Sequence, residues 1–235
     1  MKLTAWSPLV AAFAACSGGH HSPIDAAIDA PIDAAIDAGK CGTDLFFTGE
    51  FVDFDSQDTA FCGIFNATFQ VHGDSTRVNH TNPNGRFELC LTPTSRTQID
   101  ITPSTALSEC TNPKSTYPAN GIIIADQAVI ATGKLNSARA YDAVRAPAFG
   151  YDNTKAQVFV HVEGTLGAVT IAAAHDATQA WSGTAWAAGS TGINVLFPNV
   201  DPTAGTTTVS ATGATGGGTI PLAANSFTYV TVVFP

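Results

Sequence analysis

Six histidines, five cysteines and a tryptophan pair are the residues of this chain best suited to chemistry, and their spacing excludes more than it admits. His20 and His21 stand together near the N-terminus, while His72, His80, His161 and His175 are scattered. An imidazole works as a general base or metal ligand when a nucleophile, a carboxylate or further ligands converge on it. None of these histidines has such a partner at motif spacing. There is no GxSxG elbow, no phosphate-binding GxxxxGK[ST] loop and no GxGxxG turn. No CxxC or HxxxH pair marks zinc. Asp53-Phe-Asp55-Ser-Gln-Asp58 has the oxygen density for calcium, but lacks the sixth-position glycine and terminal glutamate of a calcium loop. The expectation is a chain with no catalytic residue, no metal and no cofactor. Trp181 and Trp186 are the exception worth placing. Ser-Gly-Thr-Ala between them reads as a four-residue hairpin loop, which would bring both rings to one face. Exposed, the pair would be a platform for a sugar ring or an apolar partner; buried, it would be core.

Positioning begins at the N-terminus. Lys2, a short apolar run, and Ala14-Ala15 before Cys16 follow the order of an export signal, and the run is too short to span a bilayer. Phe13-Ala-Ala-Cys16 resembles the lipobox of bacterial lipoproteins. The resemblance implies that Cys16 is lipidated, that residues 1–15 are removed, and that Ser17 directs the chain to the outer membrane, periplasmic or surface-exposed. Ile24 to Gly39 then reads IDAA-IDAP-IDAA-IDAG. Pro31 breaks a helix, and Asp25, Asp29, Asp33 and Asp37 repel one another at i,i+4. Residues 16–40 are therefore expected to be a flexible tether, reaching about 80 Å extended and about 27 Å as a coil. Similar repeats behind a lipidated cysteine resemble the tethers of myxobacterial lipoproteins.

The remaining four cysteines, Cys41, Cys62, Cys90 and Cys110, all lie in the first stretch beyond the tether. An even number in an exported chain reads as two disulfides, with three pairings open. Cys62–Cys90 across a hairpin, with Cys41–Cys110 closing the module, is the preferred set. Net charge is −9 with 12% charged residues. Without a basic patch, nucleic acid is not an expected partner.

From Cys41 onward the text is short apolar runs between turns. Phe61, Gly63, Phe65, Ala67, Phe69 and Val71 share one parity, as do Phe87, Leu89 and Leu91, which is strand logic. Asn82-Pro-Asn-Gly85 is a turn in which Gly85 can take positive φ. Later strand candidates are 121–124, 127–130, 156–163, 168–172, 192–198, 205–212 and 226–234. The fold class is all-β, an antiparallel sandwich.

Thr81-Asn-Pro-Asn-Gly85-Arg-Phe-Glu-Leu-Cys-Leu-Thr-Pro93 resembles the T-D-x-x-G-x-F-x-L-x-x-x-P pattern of carboxypeptidase-regulatory-like, or transthyretin-like, β-sandwich modules, over about residues 44–103. Gly192-Ile-Asn-Val-Leu…Pro202 echoes it. The expected domains are a disulfide-bonded module at 41–118 and a second β-rich module at 119–235, with one large sandwich as the alternative. Intradiol dioxygenases use a related sandwich with two tyrosines and a His-x-His strand. Tyr141, Tyr151 and His161 have that flavour, but Phe159 stands where the first histidine is needed. The function expected is a lipid-anchored, non-enzymatic envelope module, structural or contacting a protein or glycan. The alternative is an envelope hydrolase or metal enzyme, which would gather two or more of His72, His161, His175, Asp142 and Asp176 in one pocket.

Overall fold

Strands buried on both faces cannot alternate, so they read as continuous apolar runs, while strands with one wet face keep period two. Both kinds are present here. The computed structural model describes residues 40–52, 64–94, 96–102, 120–131, 138–141 and 150–235, and for residues 52 and 138–141 the backbone only. Among them are β1 (Leu45–Val52), β2 (Thr68–Val71), β3 (Val78–His80), β4 (Arg86–Leu91), β5 (Arg96–Thr102), β6 (Asn120–Asp126), α1 (Gln127–Ile130) and β7 (Ala138–Tyr141). Next come β8 (Ala156–Glu163), β9 (Thr170–Ile171), β10 (Gln179–Trp181), β11 (Trp186–Ala188), β12 (Asn194–Val200), β13 (Thr206–Ser210), β14 (Thr215–Gly216), β15 (Gly218–Pro221) and β16 (Ser226–Val233).

The continuous runs form the centre of one large sheet, ordered β11-β10-β12-β8-β16-β6-β5-β2-β3, with β14 also on β16. β16 is buried at every position and runs parallel to both β6 and β8. The sheet is therefore mixed, where a purely antiparallel one was expected. Its two faces carry two cores. Ile123, Phe159, Leu196, Phe227 and Tyr229 point to one side and pack against Phe47 and Phe51 of β1 and Phe87, Leu89 and Leu91 of β4. Ile122, Ile124, Val158, Val160, Val162, Val195, Phe197, Val230 and Val232 point to the other, against Val209 of β13 and Ile220 of β15. Small sheets β4-β1-β7 and β15-β13-β9 supply those outer layers. The result is a three-layer all-β sandwich. Where the outer layer β15-β13-β9 stops, the same face turns polar, as at Gln98 and Asp100 on β5 and His72 just beyond β2.

The first core is aromatic. Phe69 stacks on Phe87 at 3.9 Å and 12°, and meets Phe51 edge-on at 5.7 Å. Gly121 is needed for close packing, since a Cβ there would lie 2.9 Å from both Ile101 and Phe227.

Several expectations change. The boundary at residue 118 does not divide the sheet: β5 and β6 pair across it from Arg96↔Asp126 to Ile101↔Gly121. Residues 38–235 form one compact unit. The run through Phe65 to Val71 is not one strand, because Asn66 takes φ 58° and β2 starts only at Thr68. Residues 127–130 are a helical turn rather than a strand, started by the Asp126 carboxylate accepting from Ala128 N at 2.9 Å.

The disulfide pairing is corrected too. Gly85 does take φ 77°, and Asn82 Oδ1 accepts from Asn84 N and Arg86 N at 2.9 and 3.0 Å. Yet this turn passes the chain from the large sheet to the small one and makes no simple hairpin. β4 pairs instead with β1, Phe46 opposite Cys90, which brings Cys41 to Cys90 with Cα atoms 5.4 Å apart. Cys41–Cys90 is therefore the bridge, and neither Cys62–Cys90 nor Cys41–Cys110 can coexist with it. Cys16, Cys62, Cys110, Asp53, Asp55, Asp58 and Asp142 lie outside the described residues, as does the tether apart from Lys40. No helix among the described residues is long and apolar enough to cross a membrane.

Candidate functional site

The tryptophan hairpin forms as its spacing predicts. β10 and β11 pair antiparallel with Trp181 directly opposite Trp186, and the rings sit 5.6 Å apart at 49°. The turn closes through Ser182 N donating to Ala185 O at 3.1 Å, with Gly183 at φ 106°. Gly192 lets the lead-in to β12 pass, since a Cβ there would lie 2.6 Å from the Trp181 carbonyl. Both rings are half-buried and packed against the first core. They are a wall of that core and not the open platform that an exposed pair would make.

Register then extends the row. Trp186 faces Trp181, Trp181 faces Asn194, Asn194 faces His161, and His161 faces Thr231. Directly opposed residues share a face, so two indoles, an amide, an imidazole and a hydroxyl line up across five strands. His161 Nδ1 lies 2.8 Å from Asn194 Oδ1, and Nε2 lies 2.7 Å from Glu163 Oε1. Its ring stacks on Tyr229 at 6.3 Å and 18°. An imidazolium would donate to both acceptors as drawn. A neutral ring would donate Nε2–H to Glu163 and accept a hydrogen bond at Nδ1 from the N–H of a turned Asn194 amide. His-x-Glu on one strand puts both side chains on one face, a signal visible in the sequence that was passed over; Asn194 required the register.

Among the described residues, the other candidate groups are not gathered. His72 Nδ1 meets Asp100 at 2.7 Å, with Gln98 Nε2 also on Asp100 at 2.7 Å. It borders a shallow cavity of about 270 Å³ with Thr92, Thr94, Arg96 and Thr97. His80 meets Thr68 Oγ1 at 3.2 Å. His175 packs edge-on against Phe197, and Asp176 accepts from Asn199 Nδ2 at 2.8 Å. Asn199 itself sits at a bulge in β12, with φ 49°. Its N–H, displaced from the ladder, donates to the amide oxygen of buried Gln157 at 3.1 Å. No group of three or more metal-ligating side chains is found among the described residues.

Among the described residues, three carboxyls are held below their usual value by the turns that start strands. The Thr76 hydroxyl lowers Asp74, the Thr154 hydroxyl lowers Asp152, and the Thr203 backbone N–H lowers Asp201. Each Asp-x-Thr turn leads into a strand, β3, β8 and β13 respectively.

Compared with family models, curated proteins and solved structures, the chain finds no match in any of the three.

Proposed function

We propose that this chain is the folded head of a lipid-anchored envelope protein, a non-enzymatic module that bears structure or contacts a protein or glycan. The observation that carries this reading is the dispersal of its reactive groups. His72, His161 and His175 stand on separate partner sets, each serving its own stretch of sheet. Among the described residues, the hydrogen-bond partners of the His161 ring are Asn194 and Glu163, neither of them a nucleophile. The lipobox-like Phe13-Ala-Ala-Cys16 and the IDA repeat support the anchoring half of the reading, and the resemblance of residues 44–103 to carboxypeptidase-regulatory-like modules supports the module half. The Trp181–Trp186 pair, half-buried as a wall of the first core, is not assigned to the protein or glycan contact. Cys16→Ser should move the protein from the membrane to the soluble fraction; unchanged membrane association would overturn the anchor.

A further inference from the structure

The point where the chain enters its fold is fastened more heavily than a strand end needs. Cys41, the fourth residue ahead of β1, is bonded to Cys90 in β4. Arg77, from the turn between β2 and β3, gathers the same place: Nη2 lies 2.8 Å from Asp44, Nε 3.3 Å from Asp74, and Nη1 donates to the Cys90 carbonyl at 3.1 Å. Lys40 reaches Glu88 of β4 at 3.0 Å and lies over the Phe46 ring at 5.2 Å. One covalent bond and a cluster of charges thus tie the lead-in to β1, the edge strand β4 and the large sheet.

Without the bridge, tension arriving at residue 40 would peel β1 from β4 starting at Leu45↔Leu91. Bonds opened one at a time resist weakly, since each contributes little on its own. The bridge lies ahead of that first pair. Tension reaching Cys41 passes to Cys90, and from there through one short connection to β5 in the large sheet. The segment between the two cysteines, which carries β1 to β4, is bypassed.

We propose that Cys41–Cys90, seconded by Arg77, is a strain-relief anchor that routes tension from the N-terminal tether into the large sheet and shields β1–β4 from it. The proposal rests on the tether reading. It is tested by pulling the full chain carrying Cys16→Ser between handles at its two termini. The oxidised protein should yield without an early event. With Cys90→Ser added, an additional, lower-force rupture should precede the main one and release about 170 Å, the extended length of 49 residues. Should Cys90→Ser fail to fold, reducing the folded, tethered molecule in place with dithiothreitol gives the same comparison. Arg77→Gln should lower the early rupture force further in the reduced molecule. An unchanged first-rupture force after loss of the bridge, or the extra length appearing only after the main rupture, would overturn the anchor. Neither result bears on membrane attachment, which the Cys16→Ser fractionation reads separately.

Discussion

Removing the Cys41–Cys90 bridge is the perturbation whose size the structure predicts most directly. The bond closes a loop with a sequence separation of 49. Chain-entropy arithmetic for such a loop gives about 4 kcal/mol of stabilisation through the unfolded state. For a domain of this size each kcal/mol moves the melting temperature by about 2–4 °C, so Cys90→Ser should melt about 8–16 °C lower. Both cysteines are half-buried, so serine leaves little void. The decisive arm is additivity. Because the two residues share one bond, Cys41→Ser, Cys90→Ser and the double variant should lose the same stability in urea or thermal unfolding. Under Cys62–Cys90 with Cys41–Cys110 the two substitutions would break different bridges, and their costs would sum. A loss under about 1 kcal/mol, or additive losses, would refute the reasoning.

Gly121→Ala should destabilise by about 1–3 kcal/mol, because the new methyl meets Ile101 and Phe227 at 2.9 Å inside a filled core; unchanged urea unfolding would contradict that packing. In NMR titrations Asp74, Asp152 and Asp201 should each ionise below 3.8, and Thr76→Val should raise Asp74 toward it. Since the folded values are depressed, the stability these carboxylates contribute is present above 3.8 and is lost as pH falls through the lower folded values; titration at or above 3.8 would contradict the turns. Acrylamide should quench Trp181 and Trp186 at a rate between buried and free indole; quenching as fast as free tryptophan would contradict their packing on the core.

What could be read from the sequence was local. RFELCL alternates because β4 lies in an outer layer with one wet face, and its burial follows that alternation. The NPNG turn and the tryptophan hairpin were legible because glycine freedom and loop length act over four residues. The centre of the fold was not legible. NGIIIAD, AQVFVHVE, NVLFPNV and SFTYVTVV are buried on both faces, so they carry no parity from which to choose a partner or a direction. That the last strand inserts between β6 and β8, parallel to both, is a long-range outcome of covering two faces at once. The cysteine pairing failed for a related reason: a turn sequence does not say whether the chain stays in its sheet or leaves it. The Asp-x-Thr turns before β3, β8 and β13 were readable as capped turns, and their repetition was missed. The row from Trp186 to Thr231 needed four strand registers before any of its members could be related.

We have proposed that this β-module hangs from a membrane by a lipid on Cys16. Intact-mass analysis of the detergent-extracted protein from a bacterial host, with metabolic fatty-acid labelling, addresses it directly. The lipidated protein should begin at Cys16 and carry the labelled acyl groups. An unlabelled chain, or one whose N-terminus lies anywhere other than Cys16, would contradict it.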